Sequence, residues 1–134
     1  MSKPHANERK DGMTTMATRG QTGRQNGVAQ ENIMARVDDL SVSFITDAGS
    51  IKAVDHVSFT IPEHTIVGVV GESGSGKSVT ARSIIKLLPQ TATTSGAIYL
   101  RPRNGTEELD VLSLSADELR QMRGREAAMV FQEP

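Results

Sequence analysis

The segment Gly71–Ser78, Gly-Glu-Ser-Gly-Ser-Gly-Lys-Ser, has the residue types and the spacing that phosphate binding requires. It matches the pattern G-x-x-x-x-G-K-[ST], in which glycines permit left-handed backbone angles and leave no side chain between the chain and the phosphate oxygens. Successive backbone N–H groups can then converge on an anion. Lys77 supplies a cation for the β- and γ-phosphates, and the Ser78 hydroxyl can coordinate Mg²⁺ that bridges them. The segment therefore predicts a site for a nucleoside triphosphate.

The flanking residues predict a strand before this loop and a helix after it. Ile66–Val70 is apolar without alternation, which is typical of a strand buried on both faces of an α/β sheet. Residues 77–88 carry apolar side chains at helical spacing until Pro89. This context argues against a chance glycine-rich turn. The candidate nucleotide-binding residues are Gly71, Ser73, Gly74, Ser75, Gly76, Lys77, Ser78 and Val79.

The remaining folded part is predicted to combine short strands with one more helix. Leu40, Val42 and Phe44 alternate with serines, and a second alternating strand ends at Pro62, so these two strands should form an antiparallel layer. Ser115 begins a sequence of capping-box form and should start a helix that runs to about Met122. Further strands are predicted at Ala97–Leu100, Leu109–Leu112 and Ala127–Phe131. The fold class is α/β, with an N-terminal antiparallel layer on an incomplete parallel sheet.

Composition limits the partners and the extent of the folded region. The 15 basic and 16 acidic residues give a net charge of −1, which argues against a general nucleic-acid binder. The chain has no cysteine and therefore no thiolate metal site. Residues 1–33 hold few apolar side chains and are expected to be a disordered tail, or upstream sequence translated from a start codon assigned too early. Residues 34–134 are expected to form the domain.

Two further segments give the phosphate loop a family context. Ala53–Phe59 reads Ala-Val-Asp-His-Val-Ser-Phe, and residues 129–134 read Met-Val-Phe-Gln-Glu-Pro. Together with Gly71–Ser78 they resemble the ATP-binding subunits of ABC importers, in the group that transports dipeptides, oligopeptides, nickel or glutathione. The resemblance covers residues 35–134 and implies a P-loop NTPase fold that binds ATP with Mg²⁺. A small-molecule kinase or GTPase is the alternative that the phosphate loop alone would allow.

The resemblance also implies roles for two residues outside the loop. Phe44 lies where this family has an aromatic residue that stacks on adenine, although its alternation with Leu40 and Val42 equally fits a core position. Gln132 matches the Q-loop glutamine, which contacts Mg²⁺ or the attacking water and couples the site to the membrane partner. By resemblance, Lys77 and Gln132 take part in catalysis, and Ser78 and Gln132 hold the metal. The implied partners are a second ATP-binding subunit and transmembrane permease subunits, with the protein on the cytoplasmic face of the cell membrane.

The resemblance places the chain in the N-terminal part of such a domain, ending just after the Q-loop. The 134 residues contain no Leu-Ser-Gly-Gly-Gln signature and no apolar run that ends in Asp-Glu. Two hypotheses therefore remain open. The chain belongs to a subunit that hydrolyses ATP to energise uptake of peptides or related solutes, or it is a non-catalytic fragment that only binds nucleotide or associates with the transporter.

Overall fold

The strands that the structure describes form two separate antiparallel sheets. The computed structural model describes residues 15–19 and 33–133. In chain order the strands are β1 (Thr15–Arg19), β2 (Ile33–Thr46), β3 (Gly49–Pro62), β4 (Ile66–Val70), β5 (Ala92–Leu100) and β6 (Leu109–Asp110), and the helices are α1 (Lys77–Ile84) and α2 (Ala116–Met122). One sheet has the order β3-β2-β5-β6, and the other consists of β1 and β4.

The predicted antiparallel pair is confirmed as the long hairpin of β2 and β3. Val37, Leu40 and Val42 of β2 are fully buried, and β3 ends at Pro62 as predicted. The register shifts around Leu40, where Asp39 and His56 adopt left-handed backbone angles. The N–H of Asp39 donates to Ser58 Oγ (2.8 Å), and the N–H of His56 donates to Ser41 Oγ (2.9 Å). Serines of the neighbouring strand thus satisfy backbone donors that the bulges remove from the ladder.

The hydrophobic core lies between the larger sheet, the C-terminal end of α1 and helix α2. Its members are buried apolar side chains from these three parts and from the turn after β6: Ala35, Val37, Leu40, Val42, Val54, Ile85, Ile98, Leu100, Val111, Leu119 and Met122. The core therefore fixes α1 against the sheet, and α1 in turn carries the end of the phosphate loop.

Strand β4 is confirmed, but its predicted place in a parallel sheet is not. Within residues 15–19 and 33–133 its ladder partner is β1, and the pairing is antiparallel. Ile66 and Val70 are 81% and 53% exposed, which differs from the two-sided burial that the apolar run predicts. An apolar run indicates that a strand packs against other elements of the fold. It does not indicate which strand or helix those elements are.

The N-terminal segment supplies that partner strand. Of the predicted tail 1–33, the structure describes Thr15–Arg19, which is β1, and Ile33, the first residue of β2. The other residues of the tail lie outside the described part of the chain, so their disorder remains a prediction.

The prediction of a strand at Ala127–Phe131 is wrong. Apart from a single bridge between Arg123 and Ala127, this segment has no strand pairing within the described residues, and Val130 is 97% exposed. It lies along α1 instead. The strand predicted at Leu109–Leu112 is shorter than expected, because β6 ends at Asp110 and a 3₁₀ turn follows at Val111–Ser113.

Helix α1 begins at the predicted residue and ends at Ile84, before the predicted end at Leu88. Lys86 is left-handed (φ 51°), its N–H donates to the Ser83 carbonyl (2.9 Å), and the Leu87 N–H donates to the Arg82 carbonyl (2.8 Å). These paired bonds form a Schellman motif, which closes a helix at a left-handed residue. Leu88 packs against the core after the helix has ended, so the apolar pattern continues beyond it.

Helix α2 has the predicted capping box. Ser115 Oγ accepts from the Glu118 N–H (3.3 Å), and the Glu118 carboxylate accepts from the Ser115 N–H (2.8 Å). The backbone hydrogen bond from Ser115, assisted by the Ser115 hydroxyl, lowers the pKa of Glu118 below its ordinary value. The charged form of Glu118 is therefore the form that stabilises this helix end.

Replacing Ser115 by Ala is expected to destabilise the fold by roughly 1 kcal/mol at neutral pH. Because the folded-state pKa of Glu118 is lowered, its contribution is present above the ordinary carboxyl pKa and is lost as the pH falls through the lowered value. Because Ser115→Ala keeps the backbone N–H that bonds Glu118 and loses only the hydroxyl's share of the pKa shift, the gap in stability should narrow but not close on acidification. Urea unfolding of both proteins at neutral and acidic pH measures the difference, and a gap that is independent of pH would contradict the reciprocal cap.

Candidate functional site

The loop Gly71–Gly76 connects the end of β4 to the first turn of α1. Gly74 and Gly76 have positive φ angles of 78° and 89°, so both adopt the left-handed conformation that favours glycine. Gly76 is the N-cap of α1 and has no side chain to cap the helix. The predicted arrangement of strand, glycine-rich loop and helix is therefore present.

Gly76 also lies directly against β3. A Cβ atom at this position would be 2.4 Å from the Ala53 carbonyl oxygen and 3.4 Å from Val54 Cγ2. A Cβ at Gly74 would meet nothing within 4 Å. Two glycines of one loop thus serve different purposes, since Gly76 permits close packing on the sheet and Gly74 lies in open space.

The ammonium group of Lys77 lies within the loop. Its Nζ donates to the carbonyl oxygens of Gly71 (2.7 Å) and Glu72 (2.6 Å) and to Ser75 Oγ (3.1 Å). The loop is closed further by the Ser75 N–H, which donates to the Glu72 carbonyl at 3.1 Å. The positive charge of Lys77 is therefore held inside the curve of the loop backbone.

The first turn of α1 presents backbone donors beside this charge. The first helical hydrogen bond runs from the Thr80 N–H to the Gly76 carbonyl (2.9 Å), so the preceding N–H groups have no partner within the helix. The first turn contains no acidic side chain that would compete for them. Thr80 Oγ1 also donates to the Gly76 carbonyl (2.8 Å), which fixes the start of the helix. Such a helix N-terminus favours an anion.

An open groove runs along α1, and both predicted metal ligands line it. It has a volume of about 710 Å³ and lies between residues 78–85 of α1 and residues 127–133. Its polar and charged side chains are those of Ser78, Arg82, Gln132 and Glu133, while Ile84, Ile85 and Met129 contribute apolar surface. Both Ser78 and Gln132 are exposed. The structure therefore brings the hydroxyl after the phosphate loop and the amide of the C-terminal segment to one surface.

Comparison with known proteins shows the family to which the chain belongs. The family model described as ABC transporter matches residues 54–134 of the chain. The chain belongs to the ABC transporter family. The P-loop NTPase fold that this family implies agrees with the observed strand, loop and helix.

Relatives in this family are named for peptide transport. A putative peptide import ATP-binding protein of Brucella abortus is 45% identical over 102 residues, which are 75% of this chain and 29% of that protein. The peptidoglycan transport ATP-binding protein YejF of Agrobacterium fabrum is 48% identical over 100 residues, 73% of this chain and 17% of that protein. The oligopeptide transport ATP-binding protein OppD of Bacillus subtilis is 38% identical over 101 residues, 75% of this chain and 27% of that protein. The chain thus spans less than a third of the length of these relatives.

Phe44 does not line the groove that contains Ser78 and Gln132. It lies on β2 opposite Ile51 of β3 and Ala92 of β5, and its half-buried ring packs against the core. Two residues earlier in β2, Val42 pairs with Val54, the residue next to Gly76. Phe44 therefore belongs to the part of the sheet that supports the loop, and its stacking on adenine remains a prediction.

Sequence reasoning missed three groups that shape this ABC transporter site. The Ala53 carbonyl, the Thr80 hydroxyl and the Arg123 guanidinium all contact the loop or its helix. Thr80 could have been found, because a threonine one turn after an N-cap glycine can bond back to its carbonyl. A backbone oxygen and a distant arginine leave no local pattern.

No helix within the described ranges combines the length and apolar character needed to cross a membrane.

Proposed function

We propose that this chain binds the triphosphate of ATP at Gly71–Val79. The observation that carries the proposal is the position of Lys77 Nζ, which is held by three oxygens of a loop that ends at a helix N-terminus. A cation, left-handed glycines and N–H groups that have no partner within the helix together attract a polyphosphate. The backbone groups of Gly71, Ser73, Gly74, Ser75, Gly76, Ser78 and Val79 form the proposed cradle.

The proposal includes a magnesium ion held by Ser78 and Gln132. Both line one groove beside the loop, and hydroxyl and amide oxygens are ligands that suit Mg²⁺. Mg²⁺ keeps several waters and binds together with substrate phosphates, so two protein ligands are sufficient. When bound, the ion would neutralise charge on the phosphates. Lys77 would hold the terminal phosphates, and Gln132 would orient the metal or the attacking water.

At the level of the whole protein, we propose the ATP-binding subunit of an importer of peptides or related solutes. The names of the relatives support this role. The proposed partners are a second ATP-binding subunit and membrane permease subunits, with this protein on the cytoplasmic face of the membrane. ATP hydrolysis is likewise a proposal, and release of inorganic phosphate distinguishes a hydrolysing subunit from one that only binds nucleotide.

The proposed site is tested by comparing ATP with inorganic tripolyphosphate, which lacks the base and ribose. Titration calorimetry with Mg²⁺ should show that the wild-type chain binds both and prefers ATP. If Phe44 stacks on adenine, Phe44→Ala should lower the affinity for ATP by about tenfold and leave tripolyphosphate binding unchanged, since base–aromatic stacking contributes about 1–3 kcal/mol. Equal losses for both ligands would assign Phe44 to the core. Failure of the wild type to bind either ligand would refute the proposed function.

A further inference from the structure

Arg123 connects the helix that carries Ser78 to the segment that carries Gln132. Its Nε donates to the Ile85 carbonyl (3.0 Å), and its Nη2 donates to the Lys86 carbonyl (2.7 Å). These carbonyls lie at the C-terminal end of α1, where the helix has unpaired acceptors and partial negative charge. The half-buried guanidinium therefore binds one end of a helix whose other end forms the phosphate site.

The backbone of Arg123 begins the turn that directs the chain back along α1. Its N–H donates to the Leu119 carbonyl (2.9 Å) at the end of α2, and it forms a bridge with Ala127. Gly124 has a φ of 83°, and its N–H donates to the Ala127 carbonyl (2.8 Å). Arg123 thus fixes the origin of residues 127–133 through its backbone and the end of α1 through its side chain.

The dimensions allow this anchor to act at the opposite end of the groove. Helix α1 has 8 residues and is about 12 Å long. The stretch from Ala127 to Gln132 can span up to about 17 Å when extended. A segment anchored near Ile85 can therefore reach the first turn of α1, in agreement with the groove that both Ser78 and Gln132 line.

Near its origin the segment packs against the core through Ala127 and Met129, and beyond Met129 its described residues are exposed. Val130 is 97% exposed and Phe131 is 50% exposed. Within the described residues its backbone forms no strand ladder with a neighbour. The contacts at its origin, those of Arg123 together with the packing of Ala127 and Met129, therefore have a large share in setting where Gln132 lies.

We propose that Arg123 is a positioning residue that sets Gln132 relative to Ser78 and thereby tunes Mg²⁺ binding. The inference rests on the proposed function, because it concerns the metal that accompanies ATP. Arginine suits the task because its rigid planar group donates from two nitrogens to two adjacent carbonyls. Lysine would retain the charge at the helix end and lose this two-point geometry.

The test compares how strongly Mg²⁺ enhances ATP binding in five forms of the full 134-residue chain. These are the wild type, Arg123→Lys, Arg123→Ala, Ser78→Ala and the control Arg120→Ala. Arg120 lies on the same helix turn, is 76% exposed and pairs with Asp117. The measured quantity is the ratio of ATP dissociation constants in EDTA and in Mg²⁺.

The ratio should fall about fivefold in both Arg123 variants, as expected for coupling through a packed network, while affinity in EDTA stays within about twofold. Ser78→Ala removes a proposed Mg²⁺ ligand directly, so its ratio sets the lower limit. The ratio of Arg120→Ala should match that of the wild type. Arg123→Lys guards against misfolding of the alanine variant. An Arg123 variant that loses stability but keeps the wild-type ratio would show a purely structural role and overturn the proposal.

Amide hydrogen exchange separates this proposal from the proposed function. Residues 127–133 should exchange faster in Arg123→Lys than in Arg120→Ala, with or without nucleotide, if Arg123 anchors the segment. Equal exchange would overturn the anchoring role even if ATP binds as proposed. A wild-type chain that binds no ATP would overturn the magnesium role together with the proposed function, whatever the exchange rates.

Discussion

Replacement of Lys77 by Met is expected to weaken ATP binding about 10- to 100-fold, since a hydrogen bond to a charged group contributes about 1.5–3 kcal/mol. Methionine retains most of the aliphatic length of lysine and removes the ammonium. In the structure that ammonium is the group around which the loop is organised, because it binds the carbonyls of Gly71 and Glu72 and the hydroxyl of Ser75. Loss of the cation should therefore affect both the charge and the shape of the site. Titration calorimetry with ATP and Mg²⁺ measures the change.

Two controls limit the interpretation of this result. Arg120→Ala removes a positive charge from an exposed position on α2, so it should leave ATP affinity unchanged. Thermal unfolding of Lys77→Met should remain close to that of the wild type, because the three bonds lost lie in an open loop rather than in the core. Retained ATP affinity in a folded Lys77→Met protein would show that the phosphates bind elsewhere.

The glycine-rich loop and the start of α1 could be predicted because their determinants are local. Gly76 at the start of α1, Lys77 one residue later and the serine cap of α2 each depend on residues within one or two turns. Glycine, lysine and serine have few substitutes at such positions, so type and spacing carry the information. The hairpin of β2 and β3 was predictable for a similar reason, since its alternation and its turn lie in one continuous stretch.

Features that depend on distant partners could not be read from the sequence. The apolar residues of β4 indicate a strand, but its pairing with β1 depends on a segment in which apolar residues are sparse. Residues 127–131 have strand-like composition and form no strand, because β structure requires a neighbouring backbone and α1 lies beside them instead. The periodicity of a sequence indicates which side chains must be buried. It does not indicate which strand or helix they pack against.

The same distinction separates the predictable from the unpredictable parts of the site. Ser78 and Gln132 are far apart in sequence, and the groove that contains both confirms only that they share a surface. Arg123 was missed because an arginine in a turn is usually a solvated residue, and its two acceptors belong to another helix. Every residue has a backbone carbonyl, so a side chain that donates to carbonyls does not require a particular type of partner residue. A sequence pattern therefore cannot detect such a contact.

Replacement of Gly76 by Ala is expected to destabilise the protein by about 3 kcal/mol, through left-handed strain of about 1–2 kcal/mol and overpacking of at least about 1 kcal/mol. Its φ is 89°, and an added Cβ would lie 2.4 Å from the Ala53 carbonyl oxygen. That oxygen is part of β3, whose neighbour Val54 is a core residue, so the sheet cannot move away cheaply. The first turn of α1 should shift instead, and ATP binding should be lost with it.

Gly74→Ala is the matched control, because it imposes the same kind of backbone strain without the clash. Gly74 has a φ of 78°, and nothing lies within 4 Å of the position that its Cβ would occupy. Its cost should therefore be limited to about 1–2 kcal/mol of left-handed strain. Urea unfolding measures the free energy of unfolding of both variants. The difference between the two values gives the cost of the clash with β3. Equal losses of stability would show that the loop can move off the sheet, and that the packing of Gly76 on Ala53 does not fix the phosphate site.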